Sequence, residues 1–134
     1  MKMATTTSTG ALLARVGFAL AVAVHLVVLY LPAIPSSVPA GIPGADKVVH
    51  VLVFAAVMAT GVIARVPTRW LVAALVVHAG LSEVIQEMVL PGRGGELADL
   101  AANLGGIALG WYLASVVRRR RLEVPPEEPA VRED

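Results

Sequence analysis

Apolar runs at about residues 12–31, 47–64, 70–90 and 97–117 leave little of this 134-residue chain to be anything else. Each is close to the roughly 20 residues that carry an α-helix across a bilayer. A segment surrounded by lipid must satisfy its own backbone hydrogen bonds, which selects helix. Composition agrees: 57% hydrophobic residues, 16% charged residues and a mean hydropathy of +0.75 are too apolar for a soluble domain of this length. The expected fold class is all-α, an integral membrane bundle of four transmembrane helices. One membrane domain over 11–117 is expected, after a flexible leader at 1–10. A cytoplasmic tail at 118–134 follows, first basic and then acidic and Pro-rich.

The punctuation between the runs supports this division. Pro32, Pro35, Pro39 and Pro43, with Gly41 and Gly44, oppose helix and sheet alike over 32–45. Asp46 then stands where the N-cap of the second span is expected. Arg65-Val66-Pro67-Thr68-Arg69 separates the second and third spans, with Thr68 as the expected N-cap and Trp70 as an interfacial anchor. Pro91-Gly92-Arg93-Gly94-Gly95 separates the third from the fourth. The first run also admits a signal-peptide reading, with Val38-Pro39-Ala40 as a loose cleavage site. Its length, and the three spans that cleavage would strand, favour a retained helix.

Orientation follows from the cations. With four spans, Lys2, Arg15, Arg65, Arg69 and the four arginines at 118–121 fall on one side, and only Lys47 and Arg93 on the other. An excess of Lys and Arg marks the cytoplasm, so both termini are expected there. The arginine run needs no partner beyond anionic lipid, and a run this short beside a membrane does not suggest nucleic acid. The net charge of +1 adds little. Absence of cysteine excludes disulfides, thiol nucleophiles and cysteine metal sites.

Against this background the polar residues stand out. Ionisable groups at membrane depth are costly and mark functional sites by default. Asp46, Lys47 and His50 open the second span, and Glu83, Gln86 and Glu87 close the third. Arg93 and Glu96 precede the fourth, and Asp99 and Asn103 open it. Glu96, Asp99, Asn103, Gly106 and Gly110 are spaced by 3, 4, 3 and 4 residues and so lie along one helical stripe. Gly106 and Gly110 form a small-xxx-small pair that lets a neighbouring helix approach. All three helix ends belong to the outward side, so a shared outward polar pocket is expected. His25 and His78 are read as packing residues.

The motif Asp46-Lys47-x-x-His50-x-x-x-Phe54, then Glu83-x-x-Gln86, then Pro91-Gly92-Arg93-x-x-Glu96-x-x-Asp99-x-x-x-Asn103-x-x-Gly106-x-x-x-Gly110 resembles the VanZ-like family of small bacterial membrane proteins. The resemblance spans residues 46–110. It implies a multi-pass protein of the bacterial plasma membrane, and its founding member is associated with resistance to the glycopeptide teicoplanin. Glu96, where that family more often has Asp, and Gly94-Gly95 in the turn are departures from its pattern.

Three functional classes follow. In the first, Asp46, Lys47, His50, Glu83, Gln86, Arg93, Glu96, Asp99 and Asn103 bind a lipid headgroup, a lipid-linked envelope precursor or a glycopeptide. Arg93 suits phosphate or carboxylate because its guanidinium forks onto two oxygens, although capping the turn would also occupy it. In the second, His50 with Glu83 or Asp99 serves as acid and base on a lipid-linked substrate. No nucleophile elbow or metalloprotease motif accompanies them. In the third, the same groups only tie helices together. A divalent metal on His50, Glu83 and Asp99 is chemically feasible, but ion pairs with Lys47 or Arg93 balance the charges more simply. No metal or cofactor is therefore expected. Nothing in the pattern specifies an oligomer.

Overall fold

The computed structural model describes residues 4–30, 44–89 and 97–123, with side chains over 9–30, 44–89 and 97–120. It contains four helices, α1 (Ala4–Tyr30), α2 (Ala45–Ile63), α3 (Thr68–Val89) and α4 (Leu97–Glu123), and no strand among the described residues. All four are long and apolar enough to cross a membrane. The Pro-rich stretch 31–43, the turn at 90–96 with Arg93 and Glu96, and the tail 124–134 lie outside the described residues.

Each helix buries one stripe. On α2 it is His50, Phe54, Val57, Met58, Gly61 and Val62; on α3 it is Leu71, Leu75, Ala79, Ser82 and Gln86. Both recur at three to four residues, the spacing that keeps one face turned inward. The core joins Leu29, Phe54, Met58, Leu75, Ala79 and Ile107. The remaining surface is apolar as well, with Leu12, Leu20, Val77, Leu81 and Leu113 exposed. In water such a surface would drive aggregation, whereas lipid covers it without cost.

The closest approach is between α2 and α4. A Cβ on Gly106 would lie 2.5 Å from the Val51 carbonyl oxygen and 2.9 Å from Phe54 Cβ. One on Gly110 would strike the Ala55 carbonyl oxygen and lie 2.8 Å from Met58 Cβ. Ala114, one turn further along, is buried too. The stripe of small residues therefore brings two backbones together and sets where the polar start of α4 meets the polar start of α2.

The helix boundaries differ from the sequence reading in four places. Helix α1 begins at Ala4, within the stretch read as a leader. Asp46 is not the N-cap of α2: Gly44 is, at φ 82°, its carbonyl accepting from Val48 N–H at 3.2 Å. Glycine adopts that left-handed conformation without penalty, and Asp46 sits in the first turn, where its charge suits the helix dipole. Thr68 is likewise displaced by one position, because the Pro67 carbonyl accepts the first helical bonds, from Trp70 and Leu71 N–H. Finally, α4 continues through the arginines to Glu123, since arginine is a good helix former.

Helix α2 ends in a Schellman motif. Val66 N–H donates to the Gly61 carbonyl at 3.0 Å and Arg65 N–H to that of Val62 at 3.1 Å. Arg65 takes the left-handed position at φ 64°, where glycine is the usual occupant. Arg65→Gly is expected to raise stability by about 0.5–1 kcal/mol, the relief of strain being partly offset by a more flexible unfolded chain. Thermal unfolding in detergent measures it, and a lowered midpoint would mean that the guanidinium's own contacts outweigh the strain.

Candidate functional site

The polar groups meet at the end of the bundle where α2 and α4 begin and α3 finishes. His50 lies five residues after Ala45, Asn103 six after Leu97, and Glu83 six before Val89. At ~1.5 Å per residue all three sit about 8–9 Å inside the helix ends. All three are buried, Asn103 completely.

They form one chain. His50 Nδ1 is 2.8 Å from Asn103 Oδ1, and Asn103 Nδ2 donates to Glu83 Oε1 at 2.8 Å. Asn103 turns its amide nitrogen to Glu83 and its amide oxygen to His50. An amide oxygen only accepts, so His50 Nδ1 is the donor of that bond, and Nε2 is the ring nitrogen left for another partner. His50 Nδ1 is also 3.8 Å from Glu83 Oε1, so a protonated imidazole would find its counter-charge in place. Asn103 is the bridging residue between the acid and the base.

Nearer the helix ends, Lys47 Nζ is 3.3 Å from Asp99 Oδ1 and 3.0 Å from Asp46 Oδ2. Asp99 is buried, while the Lys47 side chain is 36% exposed and that of Asp46 56%. The lysine thus ties α2 to α4 across the rim. A partly solvated pair is weak, so a double-mutant cycle of Lys47→Met and Asp99→Asn is expected to give a coupling of about 1 kcal/mol in unfolding experiments. Zero coupling would reduce the contact to coincidence.

Gln86 is buried but takes no part in this chain, because its Nε2 donates to the Leu29 carbonyl of α1 at 3.0 Å. Glu87 is exposed, although it shares a face of α3 with Glu83. Ser82 donates to the Ala79 carbonyl of its own helix at 2.9 Å, which turns the hydroxyl away from Glu83. Among the described residues no three His, Asp or Glu side chains converge in a metal-holding group.

Beneath this layer lie His25 and His78, read from sequence as packing residues. The His25 ring stands edge-on to Phe54 at 4.5 Å and lies 5.0 Å from His78, which in turn is 6.0 Å from the Tyr30 ring. Neither ring nitrogen of His25 nor Nε2 of His78 completes a well-formed hydrogen bond, although the Val53 backbone lies within reach of the His25 ring. A buried unpaired donor or acceptor costs about 1–3 kcal/mol, so these rings form a polar floor with unused capacity. The signal in the sequence was one histidine in each of the first three apolar runs. That they converge was not legible there, because it depends on helix rotation. The Leu29 carbonyl left no signal at all, since any residue supplies one.

The arrangement sets hydrogen-bonding groups at three depths of one end of the bundle, with an imidazole, an amide and a carboxyl group in its middle layer. Compared with known proteins, the chain matches no family model, no curated protein and no solved structure.

Proposed function

We propose that this chain is a multi-pass protein of the bacterial plasma membrane, with both termini in the cytoplasm, that binds a polar envelope component at its outer face. The observation that carries the reading is the chain His50–Asn103–Glu83, drawn from three helices and buried where lipid would otherwise be. Interhelical hydrogen bonds in membranes are worth roughly 0.6–1.7 kcal/mol each, so packing alone does not require an acid, an amide and an imidazole together. Lys47 at the rim, and Arg93, which stands four residues before Leu97 in the chain, are cations suited to the phosphate or carboxylate of a lipid-linked cell-wall precursor. The charge asymmetry supports these sides: arginines 65, 69 and 118–121 fall at the opposite end of the spans, as an excess of Lys and Arg does on the cytoplasmic side of membrane proteins. The VanZ-like motif adds the expectation that occupancy of the site changes susceptibility to teicoplanin.

The test is binding of a labelled lipid-linked precursor to the purified protein, with drug susceptibility of expressing cells measured alongside. His50→Ala, Arg93→Lys and Asp99→Asn, at unchanged membrane abundance, are each expected to weaken binding about tenfold, the loss of one charge-assisted contact of ~1.4 kcal/mol. Unchanged binding in all three would end the proposal. A reporter placing Arg93 inside the cell would end it as well.

A second reading is an acid/base enzyme on the same class of substrate, favoured by the Nδ1-held imidazole, which presents Nε2 as a base much as a carboxylate-oriented histidine does. Turnover of the labelled substrate that His50→Ala abolishes would replace binding by catalysis.

A further inference from the structure

A cavity of about 600 Å³ opens at the other end of the bundle, between the α2–α3 turn and the arginine-bearing part of α4. Its polar wall is Arg65, Thr68 and Arg118, and its apolar wall includes Val62, Ile63 and Val117. No carboxylate lines it, and neither guanidinium has an ion-pair partner among the described residues. The volume lies within the ~300–1,000 Å³ of ligand sites. The membrane-crossing stretch of α2 ends at Ile63 and that of α3 begins at Thr68, so the cavity sits where apolar helix gives way to water.

Arg65 and Arg118 line one concavity from separate elements with no carboxylate among its lining residues, so an anion is the complementary ligand. Arginine also forks onto two oxygens of a phosphate, which makes it the residue suited to such a ligand. The valines and isoleucine beside them would be wasted on a free ion but suit the glycerol and first methylenes of a phospholipid. From this we infer that the cavity is a specific site for the phosphate of an anionic phospholipid, held by Arg65 and Arg118. This site is separate from the His50 layer and does not depend on the function proposed for it.

The experiment uses the full chain, delipidated in detergent, titrated with phosphatidylglycerol or phosphatidylcholine and followed by native mass spectrometry. Wild type is expected to retain phosphatidylglycerol preferentially. Arg65→Gln with Arg118→Gln is expected to weaken that retention about tenfold more than Arg119→Gln with Arg120→Gln, which removes equal charge outside the cavity. Equal losses in the two variants would show diffuse attraction and overturn the site, as would the absence of any preference in the wild type. Inorganic phosphate displacing the lipid at millimolar concentration would overturn the lipid and assign a soluble phosphate instead. Should the first variant fold poorly, Arg65→Gly set against Arg119→Gln alone, one charge each, carries the comparison while relieving the backbone, and Arg65→Gly is expected to lose lipid as it gains stability.

Discussion

Adding a single methyl group at Gly110 is expected to destabilise the bundle by about 2–3 kcal/mol, and at Gly106 by a similar amount, while the same change at Gly105 does no harm. The difference is geometric. At Gly106 and Gly110 the new Cβ meets the carbonyl oxygens of Val51 and Ala55, which are held in the helical ladder and cannot rotate aside. At Gly105 nothing lies within 4 Å, and Gly105→Ala is expected to add about 0.5–1 kcal/mol by helix propensity. The double change Gly106→Ala/Gly110→Ala should cost less than the sum, because one outward shift of α4 relieves both clashes. That shift would also draw Asn103 away from His50 and Glu83, so ligand binding should fall with stability. Unfolding in mixed detergent micelles measures all four variants. Equal tolerance of alanine at Gly105 and Gly110 would refute the close approach of α2 and α4.

The second large effect is expected at Asn103. Asn103→Leu removes the amide that accepts from His50 and donates to Glu83, both buried, and should lower stability by about 2–4 kcal/mol. The figure exceeds that of an average membrane hydrogen bond because two bonds are lost and one of them ends on a carboxylate. Replacing the whole chain, as in His50→Leu/Glu83→Leu/Asn103→Leu, is expected to recover much of the loss, since a fully apolar replacement leaves no polar group to satisfy. The recovered protein is then the sharpest test of purpose. If it is stable but no longer binds the precursor, the polar layer serves the ligand. If it still alters teicoplanin susceptibility, the layer is scaffolding and the proposed function is wrong. If the single Asn103→Leu change costs nothing, the chain of hydrogen bonds does not exist as described.

These two expectations meet in one architecture. Small residues on α4 let α2 come close, and closeness sets His50 opposite Asn103 at the same depth. Glu83 reaches the same level from the end of α3. The site is therefore a consequence of backbone packing about one and two turns along the helices from it, and stability and binding should move together when that packing is disturbed.

Much of this was legible in the chain itself. Four helices follow from four apolar runs, because lipid admits no other backbone arrangement for a segment of that kind. The stripe of Asp99, Asn103, Gly106 and Gly110 follows from spacing alone, since 3.6 residues per turn determine which side chains share a face. Boundaries were less legible: Gly44 displaces Asp46 as a cap and Pro67 displaces Thr68, since several nearby residues can end a helix and packing selects among them. Partners were not legible at all. That Gln86 bonds to the Leu29 carbonyl, that Asn103 stands between His50 and Glu83, and that His25 faces His78 depend on how far each helix is rotated and slid against the next. Periodicity determines a face within one helix, and only close packing between helices determines which faces meet.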